Sequence, residues 1–267
     1  MALPKSPRCA ITGAGNGFGR ALALGLARRG AHLLLSDRSE EDAQETARAA
    51  LAAGASTARA VKCDVTRYED VEAFAGAWDH ATDLVVNNAG VSSSGLVGEL
   101  SIDDWRWTLE TNLLGVIHGC HVFVPRLRRE GCGHILNVAS AAAIVAPPRM
   151  AAYSVAKAGV VALSETLAAE LVGTRIGVTV LCPTFFRTNI AKSGRFTHAE
   201  DRACGERLVD RGKDPDFVVR AALASVDRRE LYCLPMADGR WLWRLKRLTP
   251  ERFPVMVGKM SRWVPQK

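Results

Sequence analysis

Short apolar runs alternate along this chain with longer segments in which apolar residues recur every three or four positions. The short runs are continuous, as in the four residues from His32, from Asp83 and from Gly133. Continuous runs are typical of strands that are covered on both faces, because a half-exposed strand would alternate apolar and polar residues. The pattern predicts strands at 8–12, 32–36, 57–63, 83–87, 133–139, 177–182 and 230–234. It predicts helices at 17–30, 39–53, 67–78, 103–130, 150–172 and 214–228.

This strand–helix alternation predicts an α/β fold. We expect a single Rossmann-type, doubly wound parallel sheet of about seven strands, flanked by helices on both faces. Residues 1–237 are expected to form one domain that holds every binding site, and residues 238–267 a basic, Trp-containing amphipathic C-terminal tail. In such sheets ligands bind at the carboxyl ends of the strands, near the point where the strand order reverses.

The charge of the chain is concentrated in the predicted tail. The net charge is +7, and residues 238–267 carry eight Lys and Arg against two acidic residues, which leaves +1 for the other 237 residues. A nearly neutral body argues against a nucleic-acid partner. No apolar run is long enough to cross a bilayer, and residues 1–7 lack the apolar stretch of a secretory signal. A cytoplasmic protein is expected.

The cysteines and histidines show no metal-ligand spacing. The seven cysteines include no Cys-x-x-Cys pair, and the six histidines include no His-x-x-x-His pair beside a glutamate. Cys9, Cys63, Cys182 and Cys233 fall inside predicted strands, where buried, reduced thiols are the expected state. We therefore predict no metal site.

A glycine-rich turn joins the first predicted strand to the first predicted helix. It reads Thr12-Gly13-Ala14-Gly15-Asn16-Gly17-Phe18-Gly19. Glycines let a backbone approach a diphosphate closely, and the amides at the start of the following helix attract the anion. Such a turn alone can be purely structural, but a strand before it and a helix after it favour dinucleotide binding.

The end of the second strand bears on the choice of cofactor. Asp37 lies 18 residues after Gly19, where an acid accepts hydrogen bonds from an adenosine ribose 2′-hydroxyl. The alternative is a solvated aspartate that caps the next helix. Arg38 could instead pair with a 2′-phosphate and favour NADP. Because Asp37 would repel that phosphate, NAD is the preferred prediction and NADP the alternative.

Tyr153 and Lys157 form a candidate catalytic pair. Four residues apart in a helix, they share one face. An ammonium group beside a phenol stabilises the phenolate, so we expect the pKa of Tyr153 to fall from about 10 and the residue to act as general acid/base. Ser140 ends the fifth strand and would hydrogen-bond the substrate oxygen. Tyr-x-x-x-Lys alone can be two surface residues. Its occurrence together with the glycine-rich turn, at this separation along the chain, favours a catalytic pair.

Together these motifs resemble the classical short-chain dehydrogenase/reductase family. The resemblance covers roughly residues 8–190 and includes Asp64 after the third strand, Asn87-Asn88-Ala89-Gly90 after the fourth, and Asn112 in the long helix. It implies that Tyr153 transfers the proton. It also implies that Lys157 adjusts the pKa of Tyr153 and binds the nicotinamide ribose. It implies that Ser140 orients the substrate and that Asn112 holds a water in a relay from Lys157.

The resemblance also assigns cofactor contacts. It places Asp64 and Val65 against the adenine, Asn88 to Gly90 under the cofactor, Phe186 at a backbone-amide contact and Thr188 at the carboxamide. The full set of predicted cofactor residues is Gly13, Gly15, Asn16, Gly17, Phe18, Gly19, Asp37, Arg38, Asp64, Val65, Asn88, Ala89, Gly90, Tyr153, Lys157, Phe186 and Thr188.

Two features depart from the family pattern. Pro183-Thr184 stands where the family usually has Pro-Gly, and the glycine-rich ending that often completes tetramers is missing. We therefore expect a homodimer through helices 103–130 and 150–172 and consider a tetramer doubtful.

The predicted activity is NAD(P)-dependent hydride transfer between nicotinamide and a secondary alcohol or ketone, that is, oxidoreduction of a CH–OH group. Segments 91–96, 141–150 and 185–196 should surround the substrate and are mostly small or apolar, which favours an apolar substrate. An anionic substrate is the alternative, because it would pair with one of the positively charged side chains in these segments, Arg149, Arg187 or Arg195. The alternatives are an NADPH-dependent ketoacyl-type reductase and a catalytically silent dinucleotide-binding sensor or scaffold.

The tail predicts an amphipathic helix. Trp241, Leu242, Leu245 and Leu248 fall on one side of it, with Arg240, Arg244 and Arg247 on another. A basic amphipathic helix with tryptophan can lie on a membrane surface. Packing on its own domain or on a partner subunit is the favoured alternative.

Overall fold

The computed structural model describes residues 2–78 and 81–262, so the last five residues of the predicted tail lie outside it. The strands are β1 (Arg8–Thr12), β2 (His32–Asp37), β3 (Thr57–Lys62), β4 (Leu84–Asn87), β5 (Ser93–Ser94), β6 (Cys132–Val138), β7 (Arg175–Leu181), β8 (Arg195–Phe196) and β9 (Tyr232–Cys233). The helices are α1 (Gly17–Ala27), α2 (Glu40–Ala52), α3 (Tyr68–Gly76), α4 (Ile102–Leu109), α5 (Gly115–Glu130), α6 (Ala142–Val145), α7 (Ala151–Glu170), α8 (Ala199–Asp210), α9 (Pro215–Arg228), α10 (Ala237–Leu248) and α11 (Phe253–Arg262).

Seven of these strands form one parallel sheet in the order β3-β2-β1-β4-β6-β7-β9. One apolar layer packs α1, α2 and α9 on one face of the sheet, and a second packs α3, α5 and α7 on the other. The predicted doubly wound fold is confirmed. The strand order reverses between β1 and β4, which pair directly, for example Ala10 with Val85. The carboxyl ends of these two strands therefore meet, and a ligand site is expected there.

Local sequence signals explain several boundaries. Ser39 caps α2 by accepting a hydrogen bond from the Asp42 amide at 3.3 Å. Asp214 caps α9, which has Pro215 in its first turn, where the missing amide proton is not needed.

Elsewhere the structure differs from the predicted elements. The predicted helix 103–130 is α4 and α5 joined by a π-helical turn, Glu110–Leu114. The segment 185–213, which lacks a regular pattern, contains β8 and α8; β8 pairs with β5 in a two-stranded sheet. β5 and β8 carry no periodic signal, since each is two residues long and is stabilised by a partner about a hundred residues away.

The cysteines assigned to strands, Cys9, Cys63, Cys182 and Cys233, are buried and free. Within residues 2–78 and 81–262, no helix combines the length and the apolar character that a membrane crossing needs.

His134 is a buried histidine that joins three strands of the sheet. On β6, its Nε2 lies 2.8 Å from the hydroxyl of Thr179 on β7, and that hydroxyl donates to the carbonyl of Glu230 just before β9. The histidine therefore donates from Nε2, because the hydroxyl proton is already used. Burial lowers the pKa of His134 from 6.5 to about 3. The ring is neutral in the folded protein.

A buried neutral histidine makes stability depend on pH. The unfolded chain binds a proton near pH 6.5 and the folded protein does not, so this contribution is complete above pH 6.5 and is lost as the pH falls toward 3. Between pH 7 and pH 5 the free energy of unfolding should fall by about 2 kcal/mol from this group. Urea unfolding at both pH values measures the loss. In His134→Gln the loss should shrink, whereas His32→Gln, at the start of β2, should keep it; an equal loss in all three proteins would contradict this account.

Candidate active site

A cavity of about 820 Å³ opens at the carboxyl ends of the central strands, where the strand order predicts a ligand site. One end of its wall is the glycine-rich turn after β1, and the other holds Ser140, Tyr153 and Lys157. The cavity therefore joins the predicted cofactor residues to the predicted catalytic residues in one continuous space.

The glycine-rich turn has the geometry of an anion cradle. Gly13 has φ 63° and lies so close to the next loop that a Cβ would come within 2.6 Å of the Cα of Ala89. Gly17, with φ 54°, begins α1. Asn16 precedes the helix without a side-chain capping bond, and the first turn carries no acidic residue. The first amides of α1 are thus left for a negatively charged group, so the cradle fits a diphosphate.

Gly15 and Gly19 lie outside the cavity wall, where the cradle needs them for packing. A Cβ on Gly19 would stand 2.2 Å from the carbonyl oxygen of Gly13. A Cβ on Gly15 would stand 2.8 Å from a carboxylate oxygen of Asp37. These glycines allow the turn to fold against its own helix and against β2; their predicted contact with a cofactor stays a prediction.

Asp37 ties the cradle to β2. Its two carboxylate oxygens accept hydrogen bonds from the amides of Gly15 at 3.0 Å and Ser39 at 3.2 Å. Asp37 also lies on the cavity wall beside the exposed Arg38. Because a carboxylate has about four acceptor positions, two remain for a ligand.

The loops after β3 and β4 complete this half of the cavity. Asp64 and Val65 lie on the wall, and Asp64 is held by the amide and hydroxyl of Thr66. The side-chain amide of Asn88 donates to the carbonyls of Thr12 at 2.9 Å and Gly13 at 2.8 Å. Asn88 thereby fixes the two loops to each other.

The other half of the cavity brings together Ser140, Tyr153 and Lys157. Ser140 follows β6, while Tyr153 and Lys157 lie one turn apart on α7 and are 8% and 2% exposed. The Lys157 ammonium is 5.8 Å from the centre of the Tyr153 ring and donates to the carbonyl of Val138 at 2.8 Å. A side-chain hydrogen bond links Ser140 to Tyr153.

The electrostatics of this group differ from the expectation. Burial raises the pKa of Tyr153 and outweighs the hydrogen bond from Ser140, which lowers it. Burial also lowers the pKa of Lys157 to about 8, so this lysine loses its charge more readily than an exposed one. The expected lowering of the Tyr153 pKa by Lys157 is therefore wrong for this structure, and the phenol is protonated at neutral pH.

Asn112 lies in the π-helical turn and is fully buried. Both of its side-chain polar atoms bind the backbone of Val91: Oδ1 accepts from the amide at 2.8 Å, and Nδ2 donates to the carbonyl at 2.9 Å. A Cβ on Gly90 would stand 2.9 Å from Oδ1 and 3.5 Å from the Lys157 ammonium. Asn112 thus positions the loop that borders Lys157. The amide oxygen keeps one further acceptor position and the amide nitrogen one further donor, and the predicted relay water stays a prediction.

The segment after β7 lies across the opening of the cradle. Phe186 packs edge-on against Phe18, with ring centres 5.9 Å apart. Thr188 comes within 3.6 Å of the position of a Cβ on Gly17. Both residues lie on the cavity wall. Their contacts with the nicotinamide end of the cofactor stay predictions.

The three arginines near the substrate side are each paired with a carboxylate. Arg149 donates to Asp201 at 2.8 Å and Arg195 to Asp104 at 3.0 Å, and Arg187 pairs with Asp214. The first two pairs join β8 and α8 to the body of the protein. Arg149 alone of the three lines the cavity, and its Nη2 is buried there without a hydrogen-bond partner, so an anionic substrate stays an alternative.

Several residues of the cavity wall belong to no motif that the sequence predicts. Trp107 on α4, Leu208 on α8 and Leu242 on α10 line it far from any recognisable motif. All three are apolar, and an apolar residue in a sequence is as typical of a packed core as of a pocket wall.

Comparison with known proteins agrees with this arrangement. A family model described as short chain dehydrogenase matches residues 8–198. The chain belongs to the short-chain dehydrogenase family. The matched residues include the cradle, Asn112, Ser140, Tyr153, Lys157 and Thr188, and they end just before α8.

Individual relatives of this family extend over most of the chain. A short chain dehydrogenase/reductase from Burkholderia phymatum, solved in complex with NAD, is 34% identical with a TM-score of 0.86, covering 92% of this chain and 94% of that one. The 3beta-hydroxysteroid dehydrogenase 1 of Eggerthella lenta is 35% identical over 225 residues, 82% of this chain and 85% of that protein. The probable oxidoreductase EphD of Mycobacterium tuberculosis is 35% identical over 255 residues, 90% of this chain. This chain covers 43% of EphD, less than half its length.

Proposed function

We propose that this member of the short-chain dehydrogenase family is an NAD(P)-dependent oxidoreductase that interconverts a secondary alcohol and a ketone. The observation that carries the proposal is the buried group of Ser140, Tyr153 and Lys157 at the end of a cavity that begins at an anion cradle. A binding protein without turnover has no need of a buried phenol and ammonium beside a hydroxyl, since both cost free energy to bury.

The dinucleotide would lie between the cradle and Thr188, and when bound it supplies or accepts the hydride. In the direction of reduction, Tyr153 donates its proton to the substrate oxygen, for which the protonated phenol found here is the competent form. In oxidation it takes the proton back. Ser140 donates a hydrogen bond to the same oxygen and orients it. Lys157 binds the ribose and, with a pKa of about 8, passes a proton between Tyr153 and the water held at Asn112.

The substrate is proposed to be neutral and largely apolar. The largely apolar wall of the cavity supports this proposal, and the unpartnered Nη2 of Arg149 on that wall keeps an anionic substrate as the alternative. The name of the Eggerthella relative, a 3beta-hydroxysteroid dehydrogenase, agrees with an apolar secondary alcohol.

NAD is the proposed cofactor, because the carboxylate of Asp37 lies on the cavity wall and would repel a 2′-phosphate. The complex of the Burkholderia relative with NAD supports this choice. The second candidate, an NADPH-dependent reductase, depends on the exposed Arg38 and is separated from the first by the cofactor titration below.

We also propose a cytoplasmic homodimer. Leu114, Ile117 and Val155 on the predicted interface helices are exposed apolar residues, which suits an interface. Residues 1–237 are proposed as the catalytic domain and 238–267 as an appended segment. Contacts of α10 with the body, from Lys246 to Ile144 and from Trp243 to Tyr232, support the favoured alternative for this segment. Its outer face, with Trp241 58% and Leu248 80% exposed, leaves membrane contact as a less favoured proposal.

Replacing the phenol tests the enzyme proposal. Tyr153→Phe should reduce turnover by about 10²–10⁴-fold, because the proton donor is lost, while the affinity for NADH stays unchanged. A panel of secondary alcohols and ketones followed by NADH absorbance gives the rate, and NADH fluorescence gives the affinity. Tyr68→Phe is the matched control, since Tyr68 packs between His118 and His121 away from the cavity. Equal turnover of Tyr153→Phe and wild type would reject the proposal.

Neutralising Asp37 tests the cofactor assignment. Asp37→Asn should weaken NAD binding by about ten- to a hundredfold, since hydrogen bonds to a charged group are lost, and should improve NADP binding. Titration of both cofactors against the variant measures the change in preference. The control is Asp42→Asn, a nearby exposed carboxylate outside the cavity wall. An unchanged NAD/NADP preference in Asp37→Asn would show that Asp37 only anchors the turn.

Sedimentation with and without vesicles tests the assembly. We expect a species of about twice the 28.8 kDa chain mass and no co-sedimentation with anionic vesicles. Val155→Asp on α7 should yield monomers, and Val97→Asp, an exposed loop change, should not. A dimer that survives Val155→Asp would place the interface elsewhere. Co-sedimentation that Trp241→Glu abolishes would establish the membrane alternative instead.

A further inference from the structure

Helix α10 presents one face to the cavity. Asp238, Leu242 and Lys246 are spaced four residues apart, so they lie along one side of the helix. Asp238 and Leu242 line the cavity, and Lys246 donates to the carbonyl of Ile144 at 2.6 Å. Trp241 and Leu248 belong to the apolar side predicted from the sequence, but they turn away from the cavity and are exposed, so only Leu242 of that predicted side lines it.

The start of α10 is attached to the segment that follows β7. The hydroxyl of Thr184 donates to the Asp238 carboxylate at 3.3 Å, and the amide of Gly239 donates to the same oxygen at 2.9 Å. A Cβ on Gly239 would stand 3.3 Å from the methyl group of Thr184. The two features in which this chain departs from the family pattern, Thr184 and the C-terminal segment, are thus in contact with each other.

The rest of α10 is attached at two further places. Lys246 binds the last turn of α6, the helix that follows Ser140 and whose first amide, that of Ala142, donates to the Ser140 hydroxyl at 3.1 Å. Trp243 packs on Tyr232 of β9 with ring centres 5.6 Å apart, and the Arg247 guanidinium lies 4.0 Å from the centre of the Trp243 ring. Three attachments along twelve residues place α10 firmly against the catalytic end of the molecule.

Leu242 is the apolar side chain that α10 contributes to the cavity, which it lines together with Val145 and Pro147 at the end of α6. We propose that α10 is a wall of the substrate site and that Leu242 determines specificity by contacting the apolar part of the substrate remote from the reacting carbon. This inference rests on the proposed function, since it assigns a pocket for the alcohol or ketone. Leu242 lies outside residues 8–198, the part of the chain that the family model matches, and would add a specificity residue to the site.

A series of methyl ketones with alkyl chains of increasing length tests the wall, using the full chain and NADH. Each methylene that contacts the wall contributes about fourfold to kcat/KM. Leu242→Ala should flatten the rise of kcat/KM with chain length and lower the value for long ketones by about tenfold or more, while short ketones are unaffected. Leu242→Phe should narrow the pocket and shift the preference toward short chains. NADH affinity should be unchanged in both variants.

The matched control is Trp241→Ala, which truncates the neighbouring side chain on the outer face and should leave the chain-length profile of the wild type. If Leu242→Ala does not fold, Leu242→Phe carries the comparison, and the volume-conserving Leu242→Met should keep the wild-type profile. A profile that is the same in wild type and in the folded Leu242→Ala or Leu242→Phe variant would overturn the inference and leave the proposed function standing.

A binding measurement separates the two proposals. If the wild type reduces none of the ketones, the proposed function fails, and the wall is tested by the thermal shift that a long-chain secondary alcohol gives the NADH-loaded protein. Leu242→Ala should reduce that shift and Trp241→Ala should not. An equal shift in both variants, or no shift in the wild type, would overturn the inference.

Discussion

The close approach of two loops at the carboxyl edge of the sheet is the constraint on which the rest of the site depends. Because β1 and β4 pair directly, the turn after β1 and the loop after β4 must share the same narrow space. Gly13 permits this, since a Cβ there would overlap the backbone of Ala89, and Asn88 closes the contact with two hydrogen bonds to the carbonyls of Thr12 and Gly13. The first turn of α1 is then held toward the cavity, and its amides need no further orientation to meet an anion.

The catalytic group follows from burial as much as from residue type. Tyr153 and Lys157 are brought under the loop that Asn112 holds, and little water reaches either of them. In that environment both charged forms are disfavoured, so the phenol keeps its proton and the ammonium gives its own up more easily. In this structure the two groups therefore lie together as a protonated phenol and a lysine that loses its charge readily.

The substrate side is formed by segments that are distant in the sequence. Ion pairs from Arg149 to Asp201 and from Arg195 to Asp104 hold β8 and α8 in place, and α10 closes the opposite side through Thr184 and Lys246. Arg149 and Arg195 thus hold these elements in place, and the pocket they border is largely apolar.

The sequence alone determined the features that depend on neighbouring residues. The seven strands, the capping of α2 by Ser39, the cradle from Gly13 to Gly19 and the pairing of Tyr153 with Lys157 on one helical face all follow from local spacing. Tertiary structure decided the remainder. The direction of the Tyr153 pKa depends on burial by many residues, the pairing of β5 with β8 spans about a hundred positions, and the apolar Leu242 became a pocket wall only because Thr184 and Ile144 hold its helix there. None of these interactions is encoded in a short window, because each depends on which distant surfaces the fold brings into contact.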